Sequence, residues 1–202
     1  MQKIIFASNN RHKLSEITKL AEGLPVEIVS LKEIGWTSEI PEDYDTFEQN
    51  ALQKAITIFQ HTGLSCFSDD SGLEVEALNG LPGVHSARFY LSKYPDVPPQ
   101  DRDRYNNLLL LEMLQHSTNR NARFRTVICY VEDGHPHYFE GVVRGTIAYE
   151  PAGSNGFGYD PLFIPEGYQI TFAQMSSEQK NMLSHRARAM EKFVQYLKNK
   201  IR

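Results

Sequence analysis

The stretch LSCFSDDSGLEVEAL, Leu64 to Leu78, decides how the rest of the chain is read. Its apolar run LSCFS has the length and composition of a buried strand. It runs into two adjacent aspartates, Asp69 and Asp70, and then Ser71 and a glycine, which predicts a turn at the strand's end. Carboxylates in that position stand at the rim of a sheet, where open α/β folds bind ligands. Two neighbouring carboxylates raise each other's pKa unless a cation or donor sits between them, and a hard cation, Mg²⁺ by preference, relieves the conflict. Mg²⁺ takes one or two carboxylates, keeps several waters and completes its shell with substrate phosphates. A phosphate-binding segment is therefore expected elsewhere in the chain.

Working outward, Thr46 and Gln49 form a T-x-x-Q capping box, Ala51, Ala55, Ile58 and Phe59 form an apolar stripe, and Gly63 is placed to end the helix that leads into the strand. Upstream, KIIFAS reads as a short strand, NNRHK as a polar turn, and LSEITKLAEGL, Leu14 to Leu24, as a helix with Leu14, Ile17 and Leu20 or Ala21 on one face. Downstream, RFRTVICYV and HYFEGVVRGTIAY flank EDGHP, a hairpin signal through its Asp-Gly. YNNLLLLEML reads as a buried helix. Ser184 to Ile201 reads as an amphipathic helix with Ala189, Phe193, Val194 and Leu197 inward. Helices at both ends with hairpins between them predict a mixed α/β fold.

Composition narrows the function. The 202 residues carry 21 Lys and Arg against 25 Asp and Glu, so no basic field marks a nucleic-acid binder. No run approaches the roughly 18 apolar residues of a membrane span, and the N-terminus lacks the cleavage site of a secretory signal, which predicts a cytoplasmic protein without a membrane partner. Cys66 and Cys129 lie in apolar, strand-like runs without a CxxC partner and are expected to be buried, reduced thiols.

Three further segments carry chemistry. ASNNRHK, residues 7–13, stands where the first strand hands over to a helix; amides at a helix start favour an anion, Ser8, Asn9 and Asn10 add donors, and Lys13 adds charge. It is not a Walker loop, since GxxxxGK[ST] is absent. AGSNGFGYDPLF, residues 152–163, reads as a glycine-rich loop exposing Phe157, Tyr159 and Asp160 to a flat ligand. KNMLSHR, residues 180–186, gathers Lys180, His185 and Arg186 ahead of the last helix, where cations oppose the helix dipole and so suggest a ligand. No GxSxG surrounds Ser71 or Ser154, which argues against a serine hydrolase. Adjacent residues of one strand point to opposite faces and cannot flank a glycosidic bond. HPH, residues 135–137, reads as a solvated turn rather than a metal pair.

SNN-x-x-K-x-x-E from Ser8 to Glu16, TFEQNALQKA, DDSGLEVEALNGLPGVHSARF, GFGYDP and K-x-x-x-SHR, in this order and spacing, resemble the inosine triphosphate pyrophosphatase family over essentially the whole chain. The resemblance implies one domain, residues 1–202, of two lobes: an elongated α/β protein with a long mixed central sheet flanked by helices and a cleft between the lobes. It also implies a Mg²⁺-dependent hydrolase, usually a homodimer, that splits non-standard purine nucleoside triphosphates (dITP, ITP, XTP) to the monophosphate and pyrophosphate. Carried over by position, it makes Asp70 the general base and a metal ligand, supported by Asp69. Glu42 is the second metal carboxylate, with Asp43 as the alternative beside it, and Ser71 touches the substrate. Ser8, Asn9, Asn10, Arg11, His12 and Lys13 hold the triphosphate, aided by Lys54. Many relatives have glycine where this chain has Asn9, so a left-handed backbone is expected there. Phe157, followed by Gly158 and Tyr159, stacks on the base, and Asp160, Lys180, His185 and Arg186 surround the base edge. A pyrophosphatase of similar fold acting on modified pyrimidine nucleotides is the nearest rival reading.

Overall fold

A computed structural model describes residues 2–23 and 26–200. Leu24 and Ile201, at the ends of two predicted helices, lie outside the described residues, as do Met1, Pro25 and Arg202. In chain order the elements are β1 (Gln2–Phe6), α1 (Arg11–Leu20), β2 (Val26–Ser30), α2 (Phe47–Thr62), β3 (Cys66–Val75), α3 (Arg102–Met113), β4 (Asn121–Glu132), β5 (His135–Ile147), β6 (Phe163–Pro165), α4 (Ser177–Leu183) and α5 (His185–Lys200). A ten-residue 3₁₀ stretch, Gly83–Ser92, precedes α3. The fold is α/β, built on one six-stranded sheet in the order β2-β1-β3-β4-β5-β6. The sheet is mixed: β1 pairs in parallel with β2 and β3, whereas β5 and β6 are antiparallel.

The local chemistry that forms these elements matches their boundaries. Thr46 caps α2 by accepting from Gln49 N, and Gly63 ends it in a left-handed conformation. β4 and β5 are joined by Asp133 and Gly134 alone, both at positive φ, as a two-residue hairpin turn requires.

The chain folds as two compact units. The first comprises residues 1–70, 126–141 and 185–202, and the second 71–125 and 142–184, so that β3, β4 and β5 each pass from one unit into the other. In the first unit the period of two along each strand builds two separate cores. Ile4, Phe6, Phe67, Ile128 and Tyr130 pack with Ile17 of α1 and with Ala189, Met190, Phe193 and Leu197 of α5. Ile5, Cys66, Cys129 and Val131 pack with Ala51, Ala55 and Ile58 of α2. Both cysteines are buried free thiols, as their setting predicts. The second unit has its own core of Leu73, Val75, Leu110, Phe124, Phe163 and Phe172. Each large side chain so buried contributes about 1.5–3 kcal/mol.

Several sequence readings need correction. The predicted turn at Ser71 does not form, because β3 continues through it to Val75. Glycine is required at position 72 for a different reason: a Cβ there would lie 2.2 Å from the Gly83 carbonyl oxygen, so the glycine marks a close backbone approach within the strand. HPH opens β5 rather than forming a solvated turn. Asn9 is not left-handed; among the described non-glycine residues only Asn79 and Asp133 have positive φ. Val194 packs at the margin of its core rather than inside it.

Candidate functional site

The same strand period that builds the two cores of the first unit separates the two aspartates. Asp69 follows Phe67 toward α1 and α5, whereas Asp70 follows Cys66 and Ser68 toward α2. The predicted picture of one cation shared between them is therefore replaced by two cationic settings. Asp69 Oδ2 lies 3.0 Å from Lys13 Nζ and 3.3 Å from Arg186 Nε. Arg186 in turn pairs through an NH group with Glu16 of α1. Asp70 Oδ1 lies 3.6 Å from Lys54 Nζ, and the same ammonium donates to Glu42 Oε1 at 2.5 Å.

Burial makes each of these charges depend on its partner. Desolvation raises the Asp70 pKa above the usual carboxylate range, against the pull of Lys54 and Lys13, and Glu42 adds to the rise. Burial works to lower Lys54, but the carboxylates of Asp70, Glu42 and Asp69 outweigh it and hold its pKa up. For Lys13 desolvation prevails over Asp69 and its pKa falls. Arg186 follows the pattern of Lys54, with Asp69 and Glu16 outweighing burial. Lys13 is the most open of the three cations, its side chain 13 % exposed against 7 % for Lys54 and 2 % for Arg186.

Two residues around Asp70 were not singled out in the sequence. Asn50 Nδ2 donates to Asp70 Oδ2 at 3.2 Å and to the Tyr44 carbonyl at 2.9 Å, while its Oδ1 accepts from Tyr44 N. It thereby ties the Glu42 segment to β3. Gln53 holds Asp43, donating to its Oδ2 at 2.7 Å and accepting from its backbone N–H. Glu42 is thus turned to Lys54 and Asp43 to Gln53. Asn50 and Lys54 stand four apart on α2, a spacing that puts them on one face and could have drawn attention to Asn50.

The Ser8–Lys13 segment is organised by Asn10, whose Oδ1 caps α1 by accepting from His12 N and Lys13 N. Asn10 thus caps the helix through its oxygen, which takes two amides expected to face an anion, while its NH2 group remains the donor side of the residue. Ser8 Oγ accepts from Asn10 N, Asn9 Nδ2 donates to the Ser38 carbonyl, and Arg11 and His12 are exposed. Ser71, half-buried, is the first residue of the second unit.

In the second unit the GFGYDP loop differs from its sequence reading. Tyr159 and Asp160 are buried, not exposed: the Tyr159 hydroxyl donates to the Ser86 carbonyl, and Asp160 Oδ2 accepts from Phe157 N at 2.9 Å and from Lys180 Nζ at 2.7 Å. The Lys180 ammonium also lies 4.9 Å from the centre of the Phe157 ring, which is half-buried. Gly158 is bound on both its polar atoms by α3. His185 and Arg186 open α5 in the first unit, both buried. A separate groove of about 800 Å³ in the second unit, bordered by Glu74, Arg123, Arg144 and Tyr168, contains none of the predicted site residues.

This is an α/β protein with a buried carboxylate–cation centre on one central strand and an aromatic loop braced by an ion pair. Residues 4–196 match the model of the Ham1 family, and the chain belongs to that family. It is 50 % identical over 197 residues to a Porphyromonas gingivalis protein named dITP/XTP pyrophosphatase, covering 98 % of each chain. A Flavobacterium psychrophilum protein of the same name is 46 % identical, over 98 % of this chain and all of the relative. Among solved structures, a HAM1 protein from Coxiella burnetii superposes with a TM-score of 0.87 at 37 % identity, over 98 % of this chain and 100 % of that one. The Staphylococcus aureus Ham1 protein gives 0.86 at 34 % identity over the same shares.

Proposed function

We propose that this chain hydrolyses dITP, ITP and XTP to the monophosphate and pyrophosphate in a Mg²⁺-dependent reaction, and so keeps deaminated purines out of DNA and RNA. The relatives from P. gingivalis and F. psychrophilum, both named dITP/XTP pyrophosphatase, support the substrate class. The chemistry rests on one observation: two carboxylates, Glu42 and Asp70, converge on the single Lys54 ammonium.

That convergence fits Mg²⁺, a hard cation that binds one or two carboxylates and takes its remaining oxygens from water and phosphate. Among the described residues no group of three or more His, Cys, Asp or Glu is placed to hold a metal ion, so phosphates and water would complete the shell. Glu42 and Asp70 are the residues that would hold it, and when bound it would polarise the phosphoryl oxygens and neutralise their charge.

Asp70 takes the proton of the water that attacks the α-phosphorus, as the bond from that phosphorus to the pyrophosphate oxygen breaks. Without the cation, burial raises its pKa. Lys13, the most open of the three cations of the centre, meets the charge that grows on the leaving pyrophosphate. Lys54 and Asn50 hold Asp70 in place. His185 and Arg186, at the start of α5, are the donors to a 6-oxo group, and Glu16 and Asp69 hold the Arg186 guanidinium there. Adenine would turn an amino group toward those donors, and an unmatched polar pair in a dry site is strongly disfavoured. Phe157, with Lys180 against its ring, supplies the stacking face. The same reading makes the protein a cytoplasmic homodimer. No helix among the described residues is long and apolar enough to cross a membrane.

The test is a panel of dITP, ITP, XTP, GTP and ATP with pyrophosphate detection, with and without Mg²⁺. Fast pyrophosphate release from the deaminated purines only, and only with Mg²⁺, is expected. Release of orthophosphate, or equal turnover of ATP and GTP, would overturn the assignment.

A further inference from the structure

The loop that carries Phe157 is gripped at one residue, Gly158, by one helix. Gly158 N donates to Asp103 Oδ2 at 2.8 Å, and the Gly158 carbonyl accepts from Asn107 Nδ2 at 2.8 Å. Asp103 and Asn107 stand four apart in α3 and so share a face. Gly158 has φ +62°, a conformation that excludes most side chains, so this residue can be held only by its backbone. On the other side of the ring's own Cα, Phe157 N donates to Asp160 Oδ2, which Lys180 anchors. The peptide groups on both sides of Phe157 are thereby fixed.

Asn107 shows that this grip has a cost. Its amide gives protons to two carbonyls, those of Asp103 and Gly158, and its Oδ1 is left buried with no hydrogen-bond partner among the described residues. The residue is only 8 % exposed. An apolar side chain would fill that place without a stranded oxygen. What asparagine supplies, and leucine would not, is the bond to Gly158.

We propose that Asp103 and Asn107 are positioning residues for base recognition, setting the attitude of the Phe157 ring through the two polar atoms of Gly158. The inference rests on the reading above that Phe157 stacks on the purine, and it adds what orders that ring before the nucleotide arrives. A ring held in place loses no conformational freedom on binding, whereas a loose loop must be ordered each time. The clamp therefore acts on affinity for the base and leaves the phosphoryl step alone.

Steady-state kinetics with dITP and with base-free ribose 5-triphosphate, by pyrophosphate release, separate these effects. Asp103→Ala and Asn107→Ala should each raise KM for dITP about tenfold with kcat within about twofold, and leave the base-free substrate unchanged. Added to Phe157→Ala, either should cost less than about twofold more, because both act through the same ring. Asp103→Asn, which keeps an acceptor for Gly158 N, should restore the KM. An equal loss on the base-free substrate, a fall in kcat, or losses that add to that of Phe157→Ala would overturn the clamp. Should an alanine variant fail to melt cooperatively, Asn107→Asp makes the same test at nearly constant size by setting an acceptor against the Gly158 carbonyl. Wild-type protein that releases pyrophosphate from dITP while the variants match it sinks the clamp alone. Wild-type protein that releases none sinks the functional reading and the clamp with it.

Discussion

The carboxylate centre of the first unit and the aromatic loop of the second both rest on buried carboxylates, yet they are held by opposite means. Around Asp69 and Asp70 the side chains are held by ion pairs and charge-assisted hydrogen bonds, among them those from Lys13, Lys54, Arg186, Asn50 and Thr126. Around Phe157 the fixed groups are backbone atoms, and the ion pair of Lys180 with Asp160 serves to hold a peptide N–H. A charged centre keeps its electrostatic leverage and can move protons or stabilise growing charge. A backbone-braced loop keeps a shape. The first should govern rate and the second affinity.

The sharpest break of that comparison is Asp70→Asn, expected to lower kcat by at least ~100-fold while leaving nucleotide binding measurable. Because folding raises the Asp70 pKa, its contribution to stability is full below the ordinary carboxylate pKa and is lost as pH rises through the folded value. At neutral pH and without Mg²⁺ the asparagine variant should therefore melt no lower than the wild type. Near-normal turnover by the variant would remove Asp70 from the reaction.

Lys13→Ala comes next, with a loss of about 1.5–3 kcal/mol in kcat/KM, as for a hydrogen bond to a charged group. The loss should fall on kcat as well as KM, since leaving-group charge grows toward the transition state. A pure KM effect would make Lys13 an anchor only. Phe157→Ala should weaken binding of all purine nucleotides alike, by about 1–3 kcal/mol, with kcat little changed. A kcat effect as large as that of Lys13→Ala would erase the division between the two regions. The smallest expected signal is chemical. Burial pushes the Cys66 and Cys129 thiols up to about 12, so iodoacetamide at pH 8 should label neither in the folded protein and both in denaturant. Labelling of native protein would mean that the α2 face of the sheet opens.

What the sequence disclosed was local. The cap at Thr46, the stop at Gly63 and the Asp133-Gly134 hairpin are set by residues within a few positions of each other, and each formed as read, except that the Gln49 side chain accepts from the Thr46 hydroxyl instead of closing the capping box on the Thr46 backbone N–H. The run LSCFS announced a strand for the same reason. What it concealed has distant causes. Ser71 and its glycine look like a turn until the Gly83 carbonyl, eleven positions on, is seen to need the space of a missing side chain. Tyr159 looks exposed in a glycine-rich loop because its partner, the Ser86 carbonyl, lies far back in the chain. Asp103 and Asn107 carry no signal of their own at the start of the leucine-rich helix, and only the return of the chain at Gly158 gives them a task. The motif residues themselves were legible from resemblance, but which carboxylate meets which cation was not. That depends on strand alternation and on helices from both ends of the chain.

The alternation of β3 carries a consequence for how this chain can change over evolutionary time. Asp69 and Asp70 face different partners only because the strand keeps its count from Cys66 onward. Deleting or inserting a single residue between 66 and 69 would exchange the two faces, turning the proton-accepting carboxylate toward Arg186 and the structural one toward Lys54. Substitution can be tried one side chain at a time there, but a change of length inverts the centre in one step. Length variation among descendants of this sequence should therefore be barred from that short strand and confined to surface connections such as the YPDVPPQ segment, residues 94–100.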